Sequence, residues 1–309
     1  MRIAHISDFH LPTEAGQRVK GALPDANLIE AVSVLKRQVP GPDLVVLGGD
    51  LLDEGQKGNY ETIAELFREL QVPIHPVVGN HDDLKALKNS SLLDKERRAS
   101  GYGSFDHEGL HVILLNTGGT GKSYGNIEEQ QLFWLSEDLY RNHGKPVMIF
   151  MHHHPIDSGI PWLDKMKLQN ADAFWEIVPP YSQNILGVFF AHLHIQLTTV
   201  VRGVPVASPP AVCFQFSGNN EAAKAELSDE QPGFNLIDVH NLGAGAPGAG
   251  TPGTGGQGTD AGTVRLRSVR LRTVRFAPAV GSTPASGSGE QTRQRAEPSS
   301  AGHAAEKKS

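Results

Sequence analysis

The chain has 309 residues, with 28 Lys and Arg against 34 Asp and Glu, for a formal charge of −6. That length allows one large domain or two small ones with a sizeable core, and the acidic balance excludes non-specific nucleic-acid binding through a basic surface. A single cysteine, Cys213, excludes an internal disulfide framework, and no apolar run is long enough to span a membrane.

The charge is unevenly placed. From Gly243 onward there are 9 basic and 4 acidic residues, so residues 1–242 hold 19 basic and 30 acidic ones, a body of −11. An acidic body that handles anions needs a source of positive charge beyond its side chains. The first residues lack an extended apolar core, so a signal peptide is not expected and a reducing, cytoplasmic compartment is.

Short apolar runs alternate with helical patterns. Residues 2–7 read as a strand, 26–38 as a helix with Leu28, Ile29, Val32 and Leu35 at helical spacing, and 43–47 as a buried strand. A helix over 60–70 and a strand over 72–78 follow, and this βαβαβ order predicts parallel pairing. Residues 101–106 and 111–115 read as paired strands. A helix over 127–140, a strand over 146–151, a helix over 172–178 and a strand over 185–190 come next. Beyond residue 196 the pattern is all strand, over 197–201, 204–207, 212–216 and 234–239. Two β-rich halves with helices outside predict an α/β fold, a layered sandwich.

Residues 1–242 are expected to form the catalytic body. Residues 243–262, nine of them glycine, read as a flexible insertion. Residues 263–276 alternate apolar and Arg side chains and read as one or two edge strands of the same domain, with a solvated charged face. Residues 277–309 are expected to be disordered.

Chemistry-bearing residues recur at strand ends: Asp8-Phe9-His10, Gly49-Asp50, Gly79-Asn80-His81-Asp82, His152-His153-His154 and His192-Leu193-His194. Ligands of open α/β sheets gather at the carboxyl ends of strands, so the five clusters can converge. Carboxylate, imidazole and amide oxygen suit divalent manganese, iron or zinc. In Asp8-x-His10 and His192-x-His194 the paired residues would share one side of an extended segment. Seven candidate ligands exceed what one ion takes and suit two, which together clamp an in-line attack on phosphorus.

This constellation resembles the calcineurin-like metallophosphoesterases: Asp8-x-His10, Gly49-Asp50, Gly79-Asn80-His81-Asp82, His152 and His192-x-His194 stand in the family's order over residues 1–240. Within that superfamily the bacterial class III cyclic AMP phosphodiesterases are most similar. The likeness is carried by the segment from His152 to Gly159, by Trp162-Leu163-Asp164 and Asn170-Ala171, and by Val212-Cys213-Phe214-Gln215-Phe216. The resemblance implies a four-layer α/β/β/α sandwich of two mixed sheets. It implies Asp8, His10, Asp50 and His194 around one metal and Asp50, Asn80, His152 and His192 around the other, with Asp50 bridging. Hydrolysis of cyclic AMP to 5′-AMP by a metal-bridging hydroxide would follow. His81 would stand beside the leaving oxygen, Asp53 would orient it, and Asn80, His81 and His194 would meet the substrate. Where the family usually has glycine before the last His-x-His this chain has Ala191, which fits if its φ is negative.

The implied partner is a small cyclic nucleotide or other phosphodiester, not nucleic acid or membrane; oligomeric state is left open. A glycerophosphodiesterase or another phosphoester hydrolase keeps the chemistry and changes the substrate, and a non-catalytic scaffold on the same fold is the remaining reading. His5, His75 and His111 read as packed structural histidines and Cys213 as a buried small hydrophobe. Residues 116–123, Asn-Thr-Gly-Gly-Thr-Gly-Lys-Ser, nearly spell a phosphate-binding loop. The first glycine is missing, however, and no helical pattern starts at Lys122, so they read as a loop bordering the metal site.

Overall fold

The computed structural model describes residues 1–55, 58–94, 97, 100–118, 121–240 and 268–279. In chain order the strands are β1 (Arg2–Ile6), β2 (Leu44–Leu47), β3 (Ile74–Pro76), β4 (Gly103–His107), β5 (Leu110–Leu114), β6 (Val147–Phe150), β7 (Ile185–Phe189), β8 (Leu197–Val201), β9 (Val204–Ser208), β10 (Gln215–Phe216), β11 (Leu227–Ser228), β12 (Gly233–His240) and β13 (Ser268–Arg275). The helices are α1 (Pro24–Lys36), α2 (Tyr60–Arg68), α3 (Leu84–Lys88), α4 (Glu129–Arg141), α5 (Pro161–Asp164) and α6 (Ala171–Ile177), with a 3-10 turn at Pro179–Tyr181.

Two mixed sheets result, with strand orders β13-β12-β1-β2-β3 and β4-β5-β6-β7-β9-β8. β1, β2 and β3 are parallel, as are β5, β6, β7 and β9, while β12, β13, β4 and β8 run antiparallel to their neighbours. The continuous apolar runs of β2 and β6 are buried at every position, as strands covered on both faces must be. Ile3, Val46, Met148, Phe150, Phe189 and Ile237 belong to the apolar layer between the sheets. Leu28, Val32 and Leu35 of α1 join Ile63 and Phe67 of α2 over the outer face of the first sheet, and Leu135, Leu139 and Phe174 of α4 and α6 cover the second. This is the four-layer α/β/β/α sandwich.

The sequence pattern placed the longer elements within a few residues and missed α3, α5 and β11, which are too short to show a period. The expected strand over 212–216 survives only as β10. Val212 and Cys213 instead donate their N–H groups to the Ser7 and Asp8 carbonyls at 3.1 and 3.2 Å, which ties this segment, the loop after β9, to the loop after β1. β13 lies at the sheet edge beside β12 in continuous antiparallel register. The expected Gly-rich insertion, residues 263–267 of the expected edge strands and most of the expected tail lie outside the described residues. No helix of the described residues is long and apolar enough to cross a membrane.

Candidate active site

The loops that leave β1, β2, β3, β6 and β7 meet at one end of the sandwich. Asp8 N donates to Gly49 O at 3.0 Å and His10 N to Asp50 O at 2.9 Å, so the first two loops run on side by side beyond their strands. Ala191 N donates to His152 O at 2.9 Å and ties the loops of the second sheet in the same way. Glycine is required at two of the closest approaches. Gly49 has φ +94°, and a Cβ there would fall 2.6 Å from His152 Nδ1; one on Gly79 would fall 2.2 Å from the Asp50 backbone nitrogen.

The paired residues do not share a side through extended backbone, as their spacing suggested. Asp8, His10, Asp50, His192 and His194 all have positive φ, between 45° and 67°. Left-handed backbone costs an L-residue about 1–2 kcal/mol, so the fold holds five strained residues at one place, a pattern that marks functional sites. Ala191 is not among the positive-φ residues, so alanine fits there without strain.

The seven sequence-expected ligands come together in two groups. In the first, His10 Nε2 lies 3.2 Å from His194 Nε2 and 3.6 Å from Asp50 Oδ2, and His194 Nε2 lies 3.5 Å from Asp8 Oδ1. In the second, His152 Nε2 lies 3.3 Å from the same Asp50 Oδ2, 3.2 Å from Asn80 Oδ1 and 3.2 Å from His192 Nδ1. Asp50 Oδ2 therefore belongs to both. His153 turns instead to Thr117, its Nδ1 lying 2.9 Å from the hydroxyl, and His154 Nε2 stands 3.8 Å from Asp164. A His153 nitrogen still falls within 4.8 Å of His152 and His192 nitrogens.

Residues 1–196 match the family model of the calcineurin-like phosphoesterases. The chain belongs to this family. It is 29% identical over 238 residues to a 3′,5′-cyclic-nucleotide phosphodiesterase of Nostoc sp., covering 77% of this chain and 87% of that one. It is 27% identical over 248 residues to a probable glycerophosphodiester phosphodiesterase, GpdQ, of Arcobacter nitrofigilis, covering 76% and 88%. Among solved structures, a dimetal phosphatase from Danio rerio superposes with a TM-score of 0.56 at 16% identity, covering 76% of this chain and 91% of that one. That likeness is one of fold.

The members of a metallophosphoesterase site have to suit divalent cations, and the hydrogen-bond inventory here does. His194 Nδ1 donates to Phe214 O at 2.8 Å and His152 Nδ1 to Gly48 O at 2.8 Å. A carbonyl only accepts, so in the neutral ring each Nε2 carries a lone pair. His10 Nδ1 lies 3.1 Å from the Asp53 carboxylate, so its neutral ring likewise has the Nε2 lone pair free. Lone pairs of His10 and His194 thus face each other, and that of His152 faces two oxygen acceptors. Asp8 Oδ1 and His192 Nε2 are buried without a hydrogen-bond partner. Such a convergence of acceptors lacks positive charge, and cations supply it.

The protonation pattern of the cation-free chain agrees. Burial lifts the Asp8 carboxyl to about 6. It acts on Asp50 in the same sense, but His152, His10 and His81 outweigh it and hold that carboxyl well below the usual range. Burial lowers His152, yet Asp50 and Asp8 carry it up to about 9. Burial pushes His192 and His194 well below the ordinary imidazole. Burial lowers His10 too, but Asp53, Asp50 and Asp8 outweigh it and raise it, so the cation-free cluster holds protons on His152 and His10 that cations would displace.

His81 is the exposed member of the cluster. Its ring stands edge-on to His10, with centroids 4.6 Å apart, and its backbone N–H donates to Asp50 Oδ1 at 2.9 Å. The structure refines the role expected of Asp53: its backbone carbonyl, not its carboxylate, takes His81 Nδ1 at 2.8 Å. The carboxylate holds His10 and stands 3.8 Å from His81 Nδ1.

Other supporting residues escaped the sequence reading. Asp82, buried, accepts from Leu51 N, Leu52 N, Gly79 N and the Tyr60 hydroxyl at 2.9–3.4 Å, pinning the loops after β2 and β3 to α2. It stands in the Gly-Asn-His-Asp motif, which was the available signal. The Gly48 and Phe214 carbonyls that set the imidazole tautomers left none, because every residue has a carbonyl. The class III-like residues mostly tie loops: Asp164 accepts from Ser158 N and Oγ, and Asn170 clasps Ile127 through both its amide groups. Trp162 differs, packing edge-on to Phe216 at 4.9 Å, whose ring lies 4.9 Å from His194. Among described residues no helix starts at Lys122; α4 begins at Glu129.

Proposed function

We propose that the chain is a dinuclear metal-dependent phosphodiesterase that hydrolyses 3′,5′-cyclic AMP to 5′-AMP in the cytoplasm. The observation that carries this reading is the pair of donor groups sharing Asp50 Oδ2. Asp8, His10, His194 and Asp50 hold one divalent ion; Asp50, Asn80, His152 and His192 hold the other, with manganese, iron and zinc all suited to the donors. When bound, the ions supply Lewis acidity toward phosphate and an activated water for attack on phosphorus. They also supply the positive charge that the −11 body lacks.

The chain's own groups do the rest. His81 Nδ1 is held by the Asp53 carbonyl, so Nε2 is the ring atom that gives a proton or hydrogen bond to O3′ as the P–O3′ bond breaks. Asn80 and His194 adjoin the phosphate from the two metal positions. Half-buried Trp162 and Phe216 form an aromatic wall beside His194, a surface on which a purine stacks. A cyclic nucleotide is also what the Nostoc relative's name specifies. The GpdQ relative favours a second reading, a glycerophosphodiester at the same centre.

A substrate panel with manganese-loaded protein tests both. Cyclic AMP should be cleaved at a higher kcat/KM than cyclic GMP, glycerophosphocholine or p-nitrophenyl phosphate. Faster cleavage of glycerophosphocholine would move the assignment to the second reading. Failure on every diester, bis-p-nitrophenyl phosphate included, would overturn both.

A further inference from the structure

Cys213 is the chain's only cysteine, and it lies against the first donor group. Its Sγ, one His10 nitrogen and one His194 nitrogen all fall within 4.8 Å of one another, and all three residues are buried. The thiol is not there by loose packing. The Cys213 N–H donates to the Asp8 carbonyl at 3.2 Å, and the Cys213 carbonyl accepts from Asn27 Nδ2 at 3.0 Å, so its backbone is clamped between the β1 loop and α1. His194 also stands beside a buried acceptor of the first donor group. Asp8 is 0% exposed, and its Oδ1 has no hydrogen-bond partner while standing 3.5 Å from His194 Nε2.

Donor type then discriminates among cations. Adding a sulfur to the two imidazoles and two carboxylates of this position favours thiophilic ions, whereas manganese and magnesium prefer oxygen. Zinc–sulfur and zinc–nitrogen bonds of about 2.3 and 2.0 Å allow donors to one ion to lie up to about 4.3 Å apart, against the 4.8 Å within which Sγ and the two imidazole nitrogens fall. We propose that Cys213 is an additional donor at the first metal position, recruited by thiophilic divalent cations such as zinc or cobalt, and that it sets which metal this position retains. On coordination the S–H bond breaks, its proton passes to solvent and a sulfur–metal bond forms; no electron is transferred.

The inference rests on the metal position assigned above, and cobalt substitution separates the two. Full-length protein freed of metal and titrated with Co²⁺ should bind two equivalents. A thiolate-to-cobalt charge-transfer band should grow in the near ultraviolet, in addition to the visible ligand-field bands. Cys213→Ser should lose that band alone. In equilibrium dialysis the variant's zinc affinity at one site should fall about 10-fold or more, with manganese affinity changing less than about twofold. Cobalt bound by the wild-type chain without a charge-transfer band, or zinc affinity unchanged in the variant, overturns the inference and leaves the dinuclear reading standing. Wild-type protein that binds no cobalt overturns both. The wild-type spectrum decides the matter even if the variant fails to fold.

Discussion

Two buried histidines of this molecule are equally hidden and chemically opposite. His10 and His111 are each 4% exposed. Both ring nitrogens of His111 meet carboxylates at 2.7 Å, Asp106 on one side and Asp138 on the other, so its polar demand is met by the chain. His10 has one nitrogen matched by Asp53 and the other turned toward His194 and Asp50, where further acceptors converge. Burial therefore does not separate a structural histidine from a ligand; the balance of donors and acceptors does. A region whose acceptors outnumber its hydrogens is complete only with a cation.

The sharpest way to break this distinction is to remove the oxygen that both donor groups share. Asp50→Asn should lower kcat/KM about 1,000-fold or more, roughly 4 kcal/mol of transition-state stabilisation, and cut bound metal from two equivalents to one or none by elemental analysis. Retention of both ions with normal turnover would show that Asp50 Oδ2 does not bridge. His81→Ala gives the next largest effect and a different signature. It should lower kcat about 100–1,000-fold with bound metal unchanged, because its Nδ1 is held by the Asp53 carbonyl and it neighbours His10 without belonging to the seven-ligand set. Metal loss in His81→Ala would make it a ligand rather than a proton donor.

Much of this was legible in the sequence, and the reasons differ between fold and site. β2, β6 and β7 were readable because strands covered on both faces are apolar throughout, and α1 because Leu28, Val32 and Leu35 keep one face. The ligands were readable because Asp8, Asp50, Asn80 and His152 each follow such a run, and that end of a parallel sheet is where ligands gather. The left-handed φ values of Asp8, His10, Asp50, His192 and His194 were not. Nothing in an Asp or His residue announces that backbone, which exists only because neighbouring loops fix it from both sides. Cys213 is the buried small residue expected, packed with Ala22 and Phe214, but its neighbourhood was hidden for a related reason. Small and apolar by composition, it reads as core until the loop after β9 brings it back to Asp8.

The smallest effect tests the structural side of the comparison through pH. His111 and His5 are both buried, yet their stabilities should titrate in opposite directions. Burial lowers His111, but Asp138 and Asp106 outweigh it and raise its pKa above the ordinary 6.5. The folded chain then holds a proton that the unfolded chain releases, so this stability is full below pH 6.5 and lost as pH rises through the raised value. His5 sits edge-on to Phe150 between the sheets with neither ring nitrogen bonded, and burial lowers its pKa to about 3. There the unfolded chain takes up the proton, so stability is full above pH 6.5 and lost as pH falls toward 3, by at most about 1.4 kcal/mol per pH unit. Urea unfolding of manganese-loaded protein, variant minus wild type, isolates each contribution. His111→Gln should flatten the alkaline limb and destabilise the fold by about 1–3 kcal/mol, because Asp106 and Asp138 lose their partner. His5→Leu should flatten the acid limb and cost little near neutral pH, since leucine brings no unpaired polar atom into the layer between the sheets. If both variants flattened the same limb, matched and unmatched burial would not be distinct states of histidine here, and the argument from unmatched acceptors to cations would lose its control.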